Sequence, residues 1–331
     1  MAVKSMARKK SKVETESERG HQSRIWLYLF FLTLQYGAQP LLSKRFTGKE
    51  VIVTSSVLVC EWAKVLCALI LMLREGSLGR LRKEWTFIGS LTASALPAAI
   101  YALQNSLLQV SYRNLDSLTF TMLNQTKLFF TALFMYLILG QKQTLQQVGA
   151  LMLLIIAALL LSIGEHSGHG SKIDREQAFL MGIIPVIVAS VLSGVASSLC
   201  QWASQVKKRS SYLMTIEMSA IGSLCLLAST LKSPDGEAIR QRGFFSGWTI
   251  STLIPIFTNA VGGILVGLVT TQAGGVRKGF VIVSALMVTA LLQFIFDGIP
   301  PSSYVLFALP LVVTSIVVYQ KYQFQAKAKT S

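Results

Sequence analysis

The chain has 331 residues, 52% apolar and 14% charged, with 31 Lys and Arg against 15 Asp and Glu, and a mean hydropathy of +0.54. A soluble domain carries about 25% charged residues, so an ordinary soluble enzyme is excluded, and so many apolar residues exclude disorder. The composition is that of an all-α polytopic membrane protein, and the net charge of +16 reads as a topology signal and as contact with the lipid bilayer, not as a nucleic-acid footprint.

Residues 1–24 are polar and basic, with Lys4, Arg8, Lys9, Lys10, Lys12, Arg19 and Arg24, and form an expected cytosolic tail. The run that starts near Ile25 lacks a small-residue cleavage site and reads as a span, not a removed signal peptide. A bilayer core takes about 20 apolar residues per helix. Ten such runs follow, at 25–43, 51–73, 86–110, 115–138, 145–163, 178–204, 212–231, 247–271, 278–296 and 303–320. They are too long for barrel strands, and helices satisfy their own backbone in lipid. With the N-terminus cytosolic, 20 basic residues fall on the cytosolic side and 9 on the other, which places both ends in the cytosol.

The polar stretch 164–177 splits the runs five and five. Because five is odd, a second copy enters the membrane upside down. The expectation is therefore two inverted five-helix repeats, 25–163 and 178–320, joined by a lumenal linker at 164–177 and followed by a cytosolic tail at 321–331. Many secondary transporters are built this way, with the substrate site near the midplane. Pro40, Pro97, Pro185, Pro255 and Pro310 lie in or at the ends of runs, where freed backbone groups line a cavity or helices pack closely.

Charges at membrane depth carry the most information. Such a charge costs about 2.5–3.5 kcal/mol on insertion scales and normally faces a partner or a wet cavity. Glu61 and Lys64, three apart in the second run, share a helix face and can neutralise one another. Glu217 lies in the seventh run. Lys127 has no acid within four residues and follows the polar Asn124-Gln125-Thr126. Lys278 opens the ninth run after Gly274-Gly275-Val276-Arg277. Both lysines belong to the fourth run of their half, and a lysine on each side of a cavity suits a phosphate-bearing substrate. Tyr101, Asn105 and Asn124 supply polar and aromatic groups for a base, ribose or sugar.

Other chemistry finds no support. The sequence holds no P-loop, GxSxG or HExxH and no paired carboxylates in a plausible cleft, so no enzyme is expected. The four cysteines sit inside apolar runs without a CxxC, which argues against a disulfide or zinc framework. Glu165-His166 with His169 reads as a lumenal loop, not a metal site. Neither metal nor cofactor is expected. Asn124-Gln125-Thr126 matches the glycosylation pattern but is buried in lipid.

Several motifs, in order along 25–320, resemble the nucleotide-sugar transporters of the drug/metabolite transporter superfamily. They are Glu61-Trp62-Ala63-Lys64, Tyr101-Ala102-Leu103-Gln104-Asn105-Ser106, Asn114-Leu115-Asp116, Gln125-Thr126-Lys127 and Arg277-Lys278-Gly279-Phe280. The chain is most similar to the plant branch described as CMP-sialic-acid-transporter-like or as UDP-N-acetylhexosamine transporters. The resemblance implies antiport of a nucleotide sugar into the ER or Golgi lumen against the nucleoside monophosphate. It implies that Lys127 and Lys278 hold phosphates, that Tyr101 and Asn105 line the nucleotide pocket, and that Ser193-Gly194 closes on it. Where the CMP-sialic acid branch has an Asn and a Tyr in the seventh span, this chain has Thr215 and Ser219. That favours a UDP-sugar such as UDP-N-acetylglucosamine or UDP-N-acetylgalactosamine over CMP-sialic acid; UDP-galactose stays open. Lys327 and Lys329, fifth and third from the end, resemble the ER-retrieval signal read by coat proteins. An exporter of another anion and a non-transporting membrane interaction protein are the alternatives that need no nucleotide.

Overall fold

The computed structural model describes residues 2–48, 50–79, 85–114, 120, 123–165, 179–231, 233–298 and 303–328. Asp116, Lys329 and the linker from 166 onward lie outside them. Among the described residues there is no strand. Helix α1 is Ala2–Phe46 and α2 is Val53–Arg74. Helix α3 covers 87–114 as Phe87–Ser90, a π-helical turn at Leu91–Ala95, and Leu96–Asn114. Helix α4 is Lys127–Leu139 and α5 is Leu145–Glu165. Helix α6 runs Phe179–Val206, with π-helical turns at Phe179–Ile183 and Trp202–Val206, and α7 is Ser211–Thr230. The short α8, Pro234–Arg242, precedes α9, Ile250–Ala273, α10, Gly275–Asp297, and α11, Ser303–Ala328.

Six of these, α2, α3, α6, α7, α9 and α10, contain stretches long and apolar enough to cross a bilayer. Helices α4, α5 and α11 are apolar over shorter described stretches. The chain is thus an all-helical polytopic membrane protein. Two boundaries differ from those read off the sequence. Helix α1 is continuous from Ala2, so no helix end separates the basic tail from the first run. Helix α10 begins at Gly275, so Lys278 lies within its first turn.

Pro97 and Pro185 are accommodated within continuous helices. A proline lacks its N–H and its ring crowds the carbonyl four residues earlier. Four residues before Pro97 is Ala93, and four before Pro185 is Met181; each lies in a π-helical turn, where the wider ring relieves that clash. Helix α8 starts with a Ser233 cap accepting from the Gly236 N–H, Pro234 in the first turn, and Asp235 and Glu237 behind it, all favoured at a helix N-terminus.

Helix packing has a regularity that the sequence halves do not show. Helix α1 packs on α9 and α10, and α6 packs on α3 and α4; α2 touches α9, and α3 touches α7; α2 pairs with α7 and α5 with α11. Exchanging α1–α5 with α6, α7, α9, α10 and α11 in order leaves these pairs unchanged; α7 also packs on α9, a contact without a comparable α2–α3 counterpart among the described residues. The close contacts repeat too. A Cβ on Gly37 of α1 would stand 2.6 Å from the Val288 Cβ of α10, and one on Gly194 of α6 would stand 2.7 Å from the Phe130 carbonyl carbon of α4. Small residues at helix crossings allow this approach. Side chains then bond across helices: Thr289 to the Gly37 carbonyl at 2.9 Å, Ser111 to Gly182 at 2.8 Å and Ser315 to Ala150 at 2.7 Å.

The acid at 217 is accounted for by packing. Glu217 is ion-paired with Arg209, with side chains 10% and 11% exposed. Ser90 and Ser94 each donate to it at 2.5 Å and the Trp85 indole at 3.1 Å. The cluster joins α3 to α7. Removing one partner of a buried pair strands the other charge and costs about 3–5 kcal/mol. Glu217→Ala is therefore expected to lower the denaturation midpoint strongly, while Arg45→Ala, whose 3.9 Å pair with Asp297 is half exposed, changes it little. Gly194→Leu is expected to cost about 1–3 kcal/mol by overpacking, with Gly222→Leu, where a Cβ meets nothing within 4 Å, as its neutral control in the same assay.

Candidate functional site

A cavity of about 1620 Å³ lies between α2, α3, α7 and α9 and reaches Lys278 of α10. Seven of the residues picked out in the sequence line it: Glu61, Lys64, Tyr101, Asn105, Thr215, Ser219 and Lys278. Helical spacing brings them there. Tyr101 and Asn105 are one turn apart on α3, Thr215 and Ser219 one turn apart on α7, and Glu61 and Lys64 three apart on α2, so each pair shares a face.

The Lys278 ammonium sits 5.8 Å from the centroid of the Tyr101 ring, a cation–π arrangement that leaves its N–H donors free for an anion. Lys127 is the first residue of α4, which packs on α10. Among the described residues neither lysine has a carboxylate within 4 Å. Both lie in first turns, after Thr126 for α4 and after Gly274 for α10, where unpaired N–H groups and the helix dipole add positive potential. Gly274 makes the second placement possible. It alone separates α9 from α10, at φ 87° and ψ 163°, a conformation essentially restricted to glycine. The one-residue joint leaves no loop between the helices, so Lys278 points into the bundle.

Glu61 and Lys64 form an ion pair at 2.7 Å, each side chain 19% exposed. This pair cancels its own charge in the cavity wall, and the Lys64 stem packs on Gly263 of α9. Thr215 donates its hydroxyl to the Ser211 carbonyl at 2.9 Å. Ser219 is buried.

Other expected residues stand elsewhere. Lys127 and Asn124 are partly buried outside the cavity lining. Ser193 and Gly194 also lie outside it; Gly194 lets α6 lie against the α4 backbone. The structure adds cavity residues that motif reading passed over: Tyr36, Cys200, Asn259, Ser204, Thr270 and Asp235. Asn259, an amide within the eighth apolar run, was the detectable one among them. The others are residue types common in packed helices. Among the described residues no group of three His, Cys, Asp or Glu could hold a metal.

The two ends of the cavity differ. One reaches the α7–α8 connection, where Asp235 Oδ2 accepts from the Thr54 N–H at 3.0 Å and hydroxyl at 2.7 Å. Near the other, a cluster of glutamines stands behind the lining residue Thr271. Gln201 donates to Gln141 at 3.2 Å and to Gln205 at 2.9 Å, and accepts from the Gly275 N–H at 2.7 Å. Gln205 donates to the Thr271 carbonyl at 3.0 Å. Tyr212 of α7 donates to Glu75, just past α2, at 3.1 Å.

This arrangement has counterparts among known proteins. A model of the nucleotide-sugar transporter family matches residues 25–320. The chain is 70% identical over 307 residues to the UDP-N-acetylglucosamine transporter ROCK1 of Arabidopsis thaliana, covering 92% of this chain and 94% of that one. It is 27% identical over 297 residues to the UDP-N-acetylglucosamine transporter of Homo sapiens, covering 87% and 90%. A solved crystal structure with 16% sequence identity shares the fold, with a TM-score of 0.67 over 93% of this chain and 99% of that one. The match along the membrane-embedded chain and the high identity to the plant transporter show that this protein belongs to the nucleotide-sugar transporter family and is a transporter, not an enzyme.

Proposed function

We propose that the protein exchanges a UDP-sugar, UDP-N-acetylglucosamine first among them, for the nucleoside monophosphate by alternating access. The observation that carries this reading is the pair of lysines Lys127 and Lys278, at the starts of two helices that pack on one another and without a carboxylate partner among the described residues, with Lys278 in the wall of the large cavity. A diphosphate or monophosphate neutralises them. Loaded, the site crosses between faces; empty, it carries like charges in a low dielectric and crosses slowly. A ligand shifts such an equilibrium only through its different affinity for the two states, so the carrier exchanges rather than leaks. In this reading Tyr101 and Asn105 contact the nucleotide, and the small side chains at Thr215 and Ser219 leave room beside it. The UDP-N-acetylglucosamine transporters among the relatives support the choice of base and sugar.

The proposed architecture is ten spans in two inverted five-helix repeats with both ends cytosolic. The interchange symmetry of the packing and the basic residues of the 75–86, 140–144 and 207–210 connections support it. In that orientation the glutamine cluster and the Tyr212–Glu75 bond close the cytosolic end, and the cavity extends toward the lumen past Asp235. ER or Golgi residence, with retrieval by coat proteins through Lys327 and Lys329, belongs to the same proposal.

Lys127→Ala is expected to lower UDP-N-acetylglucosamine/UMP exchange in proteoliposomes by at least about tenfold, the loss of roughly one charge-assisted phosphate contact, with the melting temperature within a few degrees of wild type. Wild-type exchange in that variant would overturn the assignment. A bound ligand stabilises the native state by mass action. UMP is therefore expected to raise the melting temperature more than CMP or GMP, and a larger shift with CMP would reassign the base.

A further inference from the structure

A second pocket, of about 710 Å³, lies apart from the central cavity between the ends of α3, α6 and α7. Its cationic wall is Lys207, Lys208 and Arg209, the connection between α6 and α7, and Ser77 and Ser210 add hydroxyls. No acidic side chain is among the described residues that line it. Arg209 is committed inward: its guanidinium pairs with Glu217 and donates to the Ser90 hydroxyl at 2.8 Å. Lys207 and Lys208 are exposed and have no carboxylate within 4 Å among the described residues. Lys207 is held over the Trp202 ring at 5.2 Å.

The backbone is shaped to present these charges. Helix α6 ends in the π-helical turn Trp202–Val206, and Lys208 follows at φ 51°, the left-handed region that non-glycine residues seldom adopt. No proline accounts for this π turn, unlike the other two. Next to the pocket, α3 exposes Phe87, Ile88 and Leu91 and is preceded by exposed Trp85. Tryptophan is enriched at the headgroup level of a bilayer. A cationic, hydroxyl-bearing pocket thus adjoins an apolar outer helix face. That combination fits a molecule with an anionic phosphate head and acyl chains, and a soluble anion would have no use for the apolar face.

We infer that the pocket formed by Lys207, Lys208 and Ser210 binds the phosphate headgroup of an anionic phospholipid, whose chains lie along the exposed face of α3. Basic pockets between spanning helices on the cytosolic side are suited to such headgroups. Placement in the cytosolic leaflet rests on the orientation proposed above; binding itself does not, and it is read without any transport measurement.

The test is native mass spectrometry of the purified full-length chain in detergent, incubated with phosphatidylinositol or phosphatidylcholine. Wild type is expected to retain phosphatidylinositol over phosphatidylcholine. The Lys207→Gln/Lys208→Gln variant is expected to lose at least about tenfold of that retention, because two surface cations are removed. Its melting temperature and UDP-sugar exchange in phosphatidylcholine liposomes are expected to stay at wild-type values. The Lys142→Gln/Lys321→Gln variant, which removes two basic residues outside the pocket, is expected to retain the lipid. Equal retention in the pocket variant, equal loss in the control, or equal retention of phosphatidylcholine would overturn the inference. Displacement of the lipid by millimolar inorganic phosphate would also overturn it, by assigning the pocket to a soluble anion.

Discussion

Two lysines without a carboxylate partner among the described residues, at the starts of two helices that pack on one another inside a lipid-embedded bundle, form the constraint on which the rest of this structure depends. Each lysine alone costs a few kcal/mol to place at membrane depth, and their mutual repulsion is poorly screened there. Elsewhere in this protein a buried charge is cancelled on the spot, as at Glu61–Lys64 and Arg209–Glu217. Lys127 and Lys278 have no such partner among the described residues, so the site is incomplete without an anion. In the proposed exchange, the missing charge arrives with each cargo and the return journey needs another.

The surroundings are built to hold this charge without neutralising it. The ring of Tyr101 takes the place of a counter-ion for Lys278, while the positive ends of α4 and α10 add to the positive potential. In the proposed orientation the cytosolic closure is made of amides. Glutamines that bond to one another and to backbone can separate and rebond without leaving a charge in the membrane, which an ion-pair gate could not do at equal cost. On the far side of the cavity, Asp235 holds the start of α2 through Thr54, so the α7–α8 connection and α2 are tied at the opposite mouth.

The packing explains how two helices carrying lysines meet. Helix α1 crosses α10 at Gly37, and α6 crosses α4 at Gly194. These are equivalent contacts under exchange of the halves. Each lysine-bearing helix is thereby pressed inward by the first helix of the other half. Gly194, which the family resemblance sets to close on the nucleotide pocket, lies against the backbone of the helix that carries Lys127. Helix α3, held on α6 by Ser111 and on α7 by the Glu217 cluster, presents Tyr101 and Asn105 to the cavity.

Membrane embedding, helicity and the position of nearly every apolar helix were legible in the sequence, because the cost of exposing backbone to lipid forces long apolar runs into helices whatever their order. Lys127 and Lys278 stand out in the sequence for the same energetic reason: charge in lipid is too costly to be incidental. Tertiary structure decided what local sequence could not encode. It showed that Glu217 has a partner eight residues away and two more donors on α3, that Lys127, Asn124, Ser193 and Gly194 stand outside the cavity lining, and that Tyr36, Cys200 and Asn259 enter it. Those outcomes depend on which face of each helix meets which neighbour, and that is set by close approach at small residues scattered through both halves, not by any run of residues along the chain.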